Sequence, residues 1–119
     1  MSVEKLAIAD RTEDEFAIIR SFLDDDERVA KAASPGPWDH GNDGLVWPPR
    51  IGDPVSGSTE IEDAEHIARW HPLRVLALTH ALRQALDEFH GEAREYEVIV
   101  LLSQALFADR LGFPEGWLR

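Results

Sequence analysis

Five histidines and twenty-three acids are the residues of this chain whose types could do chemistry. Their spacing decides what chemistry. A zinc-binding helix needs two histidines four residues apart, so that both imidazoles leave the same face. His66 and His71 are five apart, and His40, His80 and His90 share no short ligand spacing. Glu62 stands one helical turn before His66, a separation that would let the imidazole serve as a general base. This gives one catalytic alternative, a small metal-dependent hydrolase or nuclease built on His66 and nearby carboxylates. The competing reading has His66 pairing with the preceding turn and packing on Trp70. No Walker loop, dinucleotide-binding glycine pattern or nucleophile elbow occurs, and Ser103 sits on an apolar stretch without an activating partner. The chain has no cysteine, which excludes disulfides and thiolate metal centres. We assign no catalytic residue, no metal and no cofactor.

The balance of charge is a stronger signal. Twenty-three acids against twelve Lys and Arg give a net charge of −11. Binding to a phosphate backbone requires a basic surface, so direct nucleic-acid binding is not expected. Six acids, Glu13, Asp14, Asp24, Asp25, Asp26 and Glu27, fall on the first predicted helix. Consecutive helical residues point about 100° apart, so the run Asp24–Glu27 fans around the helix and forms no metal-binding pocket. Such a face either keeps the chain soluble or imitates nucleic acid towards a basic partner. No run reaches the roughly 18 apolar residues of a membrane span, and the N-terminus carries an early acid, so a cytoplasmic location is expected.

The elements that must hold these residues are mainly helical. Residues 1–11 read as an N-terminal extension whose Val3, Leu6 and Ile8 fit a helix, a short strand or a frayed end. Thr12-Glu-Asp-Glu15 offers a capping box, and Phe16, Ile19, Leu23, Ala30 and Ala33 follow at helical spacing. Ser34-Pro-Gly-Pro37 stops that helix. The turn-rich insert, at about 35–58, suits a small hairpin turning at Asn42-Asp-Gly44, with Trp38 and Trp47 covering the edge of the core. Thr59-Glu-Ile-Glu62 is a second capping box. It opens a helix carrying Ile61, Ala64, Ile67 and Ala68 on one side, with Glu65 and Arg69 as an acid-first ion pair. Trp70-His71-Pro72 breaks it: a residue before proline is driven from helical geometry, and Pro72 suits the first position of a new helix. Val75, Leu78, Leu82, Leu86 and Phe89 form the stripe of that helix, with Gly91 beyond its end. The last helix runs from about Glu92 to Ala108. Val98, Leu101, Leu102 and Ala105 are expected inward, with Ile99, Val100, Leu106 and Phe107 making a second apolar side. Trp117 should tuck against the bundle. The expected fold is thus mainly α: four helices, a small β-hairpin-like insert between the first and second, and one domain over 12–119.

Three stretches in combination carry a resemblance: Ala32-Ala-Ser-Pro-Gly-Pro-Trp38; Asp63-Ala-Glu-His-Ile-Ala-Arg69 with His71-Pro-Leu-Arg-Val-Leu76; and Leu106-Phe-Ala-Asp-Arg-Leu-Gly-Phe-Pro-Glu-Gly-Trp117. Together they resemble an actinobacterial and actinophage family of unknown function. Where that pattern has Asp, this chain has His71, a weaker helix cap. The resemblance implies an accessory product of phage or mobile-element type and implies no activity.

The reading is therefore a non-enzymatic accessory protein acting through protein–protein contact, with a host protein or a second copy of the chain as partner. The surplus apolar side of the last helix, including Ile99 and Phe107, motivates the homodimer. Trp38, Trp47, His66, Arg69, Trp70, His71 and Trp117 complete the candidate interface and motif residues. The nucleic-acid mimic and the His66-based enzyme are the two alternatives.

Overall fold

A computed structural model describes residues 3–49, 52–57 and 60–118, with side chains from residue 11 onward. It contains four α-helices, α1 (Val3–Ala32), α2 (Ile61–Arg69), α3 (Pro72–Asp87) and α4 (Ala93–Phe107). A two-stranded antiparallel sheet, β1 (Asp39–His40) with β2 (Val46–Trp47), lies between α1 and α2, and a 3-10 turn at Glu115–Trp117 closes the chain. This is the mainly helical fold with a hairpin insert that the pattern predicts. Among the described residues, no helix is long and apolar enough to cross a membrane. The chain divides into two compact units, one of residues 1–25 and 81–119, the other of 26–80.

The first unit is held by a core of large side chains. Phe16, Ile19 and Leu23 repeat along one face of α1 and are buried. Leu82 and Leu86 meet them from α3, and Ile99, Val100 and Phe107 from α4. Each fully buried side chain of this size contributes about 1.5–3 kcal/mol relative to exposure. The tail adds Phe113 and Trp117. Trp117 does tuck inward: it lies edge-on to Phe16, Tyr96 and Phe113 at 6.2, 5.9 and 6.1 Å between ring centroids. Its indole N–H donates to the Tyr96 hydroxyl at 2.9 Å, and its carbonyl accepts from Gln104. A buried tryptophan needs such a partner for its one polar atom. The turns on either side of α4 are made by Gly91 and Gly112, at φ +88° and +90°.

Helix α1 starts earlier than its capping box implies. It is helical from Val3, so Thr12 lies inside the helix instead of at its N-cap. The four residues Thr12–Glu15 are as compatible with a helix interior as with its start. Glu15 accordingly turns into the core, against Tyr96 and Trp117.

The second unit has a small core of its own. Val46 on β2 is fully buried against Ala64 and Ala68 of α2, with Trp38, Val55 and Ile67 packed around them. Two alanines four residues apart let the hairpin approach α2 closely. The hairpin turns where the sequence predicts: Gly44 takes φ +74°, and the Asp43 carboxylate accepts from the Leu45 N–H at 3.0 Å. Asp39 pairs with Trp47 and His40 with Val46. A further bridge joins Val46 to Ser56. Thr59, the expected cap of α2, lies outside the described residues; Glu60 occupies the N-cap position and makes no side-chain cap.

The break between α2 and α3 falls at Trp70-His71, as the proline predicts. His71 caps α3 through its ring: Nδ1 accepts from the Arg74 N–H at 3.4 Å, and its carbonyl takes the amides of Arg74 and Val75. The imidazole thus shares the Arg74 amide with the His71 carbonyl at the start of the helix.

Candidate functional site

The residues singled out in the sequence do not converge on one centre. His66 is exposed on α2, and among the described residues no group of three or more His, Asp or Glu side chains is placed to hold a metal ion. Arg69 pairs with Glu65 at 2.5 Å on the same helix. Trp47 is half-buried on β2, and Trp117 is in the core of the first unit.

Trp38, Trp70 and Pro72 come together in the second unit. With Val29 and Ala30 of α1 and Val75 of α3 they line an open apolar groove of about 280 Å³. Trp38 is fixed by its indole N–H, which donates to the Ser34 carbonyl at 2.9 Å. Trp70 is half-exposed and has the Arg74 guanidinium over its ring, 5.6 Å from the centroid. His71, between Trp70 and Pro72 in the chain, packs against Gly36 of the Pro35-Gly-Pro37 turn. The motif residues thus build the second unit's own framework.

The acidic run on α1 is not a bare face. Asp24 pairs with Arg83 at 2.9 Å, Asp25 with Arg110 at 4.0 Å, and Glu27 with Lys31 at 2.7 Å. Glu13 and Asp14 are exposed, and Asp26 borders the apolar groove. Arg110 also stacks over Phe22 and Phe107, at 5.7 and 4.9 Å.

The surface that stands out is on α4, and it reverses the expected assignment of faces. Ile99, Val100, Ser103 and Phe107 point inward and are buried. Val98, Leu101, Leu102 and Leu106 point outward, 49%, 58%, 46% and 38% exposed, with Ala105 among them. Ile99 and Phe107 are therefore core residues, and the apolar surface they were expected to carry belongs to the opposite side of the helix. The reason is packing. Tyr96 and Phe107 bracket the inward face and fit the rings of Phe16, Trp117 and Phe22, which the aliphatic face cannot do. The outward stripe is the more uniformly apolar of the two, and Ser103 interrupts the inward one. Period alone therefore favours the wrong side.

A row of leucines and a valine at i, i+3, i+4 and i+8 on an exposed helix is the pattern of a helix laid against another protein surface. Monomeric soluble proteins rarely leave a contiguous apolar patch open. Arg94, in the first turn of α4, and Asp109, in the turn two residues beyond its end, are both exposed.

Among the described residues, Glu15 is the acid whose titration is shifted. It is buried, and burial pushes its carboxyl above the ordinary value of 4.5, against the opposing pull of Arg11, Trp117 and Tyr96. Its Oε1 makes no hydrogen bond and lies 3.8 Å from the Arg11 Nε. Its surroundings are core aromatics.

No curated protein matches this chain, and no solved structure does. The model of one family does match, across residues 12–118, which takes in α1 from Thr12 onward, the hairpin, the other three helices and the Trp117 tail. The chain belongs to the family of unknown function DUF6221.

Proposed function

We propose that this protein is a non-enzymatic accessory protein, of phage or mobile-element type, that acts in the cytoplasm by binding another protein through the open face of α4. The observation that carries this reading is the stripe of Val98, Leu101, Leu102 and Leu106 on a helix whose other side already fills a core. The motifs Ser34-Pro-Gly-Pro-Trp38 and His71-Pro-Leu-Arg-Val-Leu76 support the accessory, mobile-element assignment. The ion pairs of Asp24, Asp25 and Glu27 weigh against a phosphate-mimicking helix, because a mimic presents its carboxylates to a partner's cations and these already meet the chain's own.

The test compares the wild-type chain with Leu101→Asp and Leu102→Asp together, as bait in affinity capture from a host lysate read by mass spectrometry. The two positions are exposed, so the circular dichroism of the variant should match wild type. Loss of specifically captured protein, or of self-association, in the variant supports the reading. Identical capture by both chains, with no self-association to lose, would sink it.

A further inference from the structure

We propose that the occupant of this face is α4 of a second copy, packed antiparallel across a two-fold axis that passes between Leu101 and Leu102. This rests on the reading of α4 as the contact surface and names its partner.

The argument is the self-complementarity of the stripe. In a two-fold antiparallel pair, residues equally far from the axis on opposite sides face each other. Leu101 then meets Leu102 at the centre. Val98 meets Ala105 one turn out, a branched side chain against a methyl, which lets the helices approach. One turn further, Arg94 meets Asp109. All six positions are exposed in the single chain. With a rise of about 1.5 Å per residue, Arg94 stands roughly 11 Å from the axis, and Asp109, in the turn two residues past the end of α4, meets it at the rim of the apolar strip. An interface with leucines central and an opposite-charge pair at each edge has the usual apolar core and polar rim.

The same residues disfavour the parallel arrangement. A parallel pair would place Arg94 on Arg94 and Asp109 on Asp109, like charges at both ends, which suppresses the wrong register. The antiparallel pair converts both contacts into attractions.

The size of the strip sets the strength. Fifteen helical residues span about 22 Å, and one helix face against another lies at the low end of specific interfaces. The dimer should therefore be weak and reversible.

The experiment is sedimentation equilibrium of the full chain over a concentration range reaching about 1 mM, with four variants. Wild type should show a monomer–dimer equilibrium, and Leu101→Asp should abolish it. Arg94→Asp and Asp109→Arg, taken singly, should each weaken dimerisation roughly tenfold, by turning two rim attractions into repulsions. The doubly substituted chain Arg94→Asp/Asp109→Arg restores both attractions and should recover wild-type affinity. Wild type that stays monomeric throughout overturns the inference, as does a dimer indifferent to Leu101→Asp or to the single charge reversals. If wild type is monomeric yet captures a lysate protein that the Leu101→Asp/Leu102→Asp chain loses, the second copy is ruled out while the contact face stands. If that capture is also unaffected, both readings fall.

Discussion

Gly36 lies directly against the imidazole of His71: a Cβ built on Gly36 would stand 2.9 Å from Nδ1 and 3.4 Å from the Cβ and Cγ of that ring. The ring cannot easily retreat, because the same Nδ1 accepts the Arg74 amide at the start of α3. The turn of Pro35-Gly-Pro37 and the opening of α3, thirty-five residues apart, are thus fitted to each other through a single side chain.

Gly36→Ala should therefore destabilise the protein by about 1–3 kcal/mol, the usual cost of overpacking a filled site. His71→Ala should cost about 1 kcal/mol, as the loss of a helix cap does. The double variant should cost less than the sum of the two, because the added methyl then has room. Urea denaturation of the four chains checks this, and strict additivity would show that the two residues are not coupled.

The two sides of α4 should respond very differently to truncation. Phe107→Ala empties a core site that Phe22 packs on and should cost about 3–5 kcal/mol. Leu101→Ala removes an exposed side chain and should change monomer stability by no more than about 0.5 kcal/mol. Thermal melts at low micromolar concentration would separate the two. Equal costs would restore the face assignment expected from the apolar pattern alone.

Ser103 sits fully buried on the inward face with its Oγ unpartnered. An unsatisfied buried hydroxyl is costly, so Ser103→Ala should stabilise the chain by about 1 kcal/mol. A loss of stability in chemical denaturation would reveal a hydrogen bond that this hydroxyl makes in solution.

Glu15 gives the protein a pH dependence with a definite sign. Burial raises its carboxyl in the folded state, so the folded chain holds its proton to a higher pH than the unfolded chain does. Below the ordinary value of 4.5 both states are protonated and the residue contributes no slope. As pH rises through that value the unfolded chain ionises first, and stability falls until the folded carboxyl ionises too. Glu15→Gln should remove this loss, leaving a chain more stable near neutral pH and with a flatter profile above pH 4.5. Denaturation midpoints measured between acid and neutral pH would show it; parallel profiles for the two chains would refute the assignment.

The acidic run should prove close to neutral for stability. Replacing Asp24, Asp25 and Asp26 by Asn relieves repulsion but also removes the pairs with Arg83 and Arg110. Exposed pairs are worth about 0–1 kcal/mol each, so the net change should stay within about 1 kcal/mol, and added salt should shrink it. Denaturation at low and high salt measures both. A clear gain in stability would mean that repulsion, not pairing, dominates this stretch.

Local chemistry made much of this fold legible. Helical spacing of Phe16, Ile19 and Leu23, and of Leu82 and Leu86, identified core faces, because a face that repeats every turn can be buried by anything that packs there. His71-Pro72 marked the break between α2 and α3, because proline restricts its own backbone and that of the residue before it. Asn42-Asp-Gly44 marked the hairpin turn, and an apolar tail ending in Trp117 had to find cover. Each of these follows from a residue and its near neighbours in sequence.

What the tertiary structure alone decided are choices between local options of similar merit. Both sides of α4 are apolar, and only the rings of Phe16, Phe22 and Trp117, which close on Tyr96 and Phe107, select the inward one. The box at Thr12 reads equally well as a helix start or a helix interior, and Glu15 went into the core. The acids of α1 looked like one solvated run because their partners, Arg83 and Arg110, lie some sixty and eighty-five residues away. His71 looked like a poor cap until the ring was seen held between Gly36 and the Arg74 amide. For α4, Glu15 and the acids of α1 the deciding energy comes from side-chain packing or charge pairing between residues distant in sequence, and for His71 from its contact with Gly36, none of which a local period or spacing encodes.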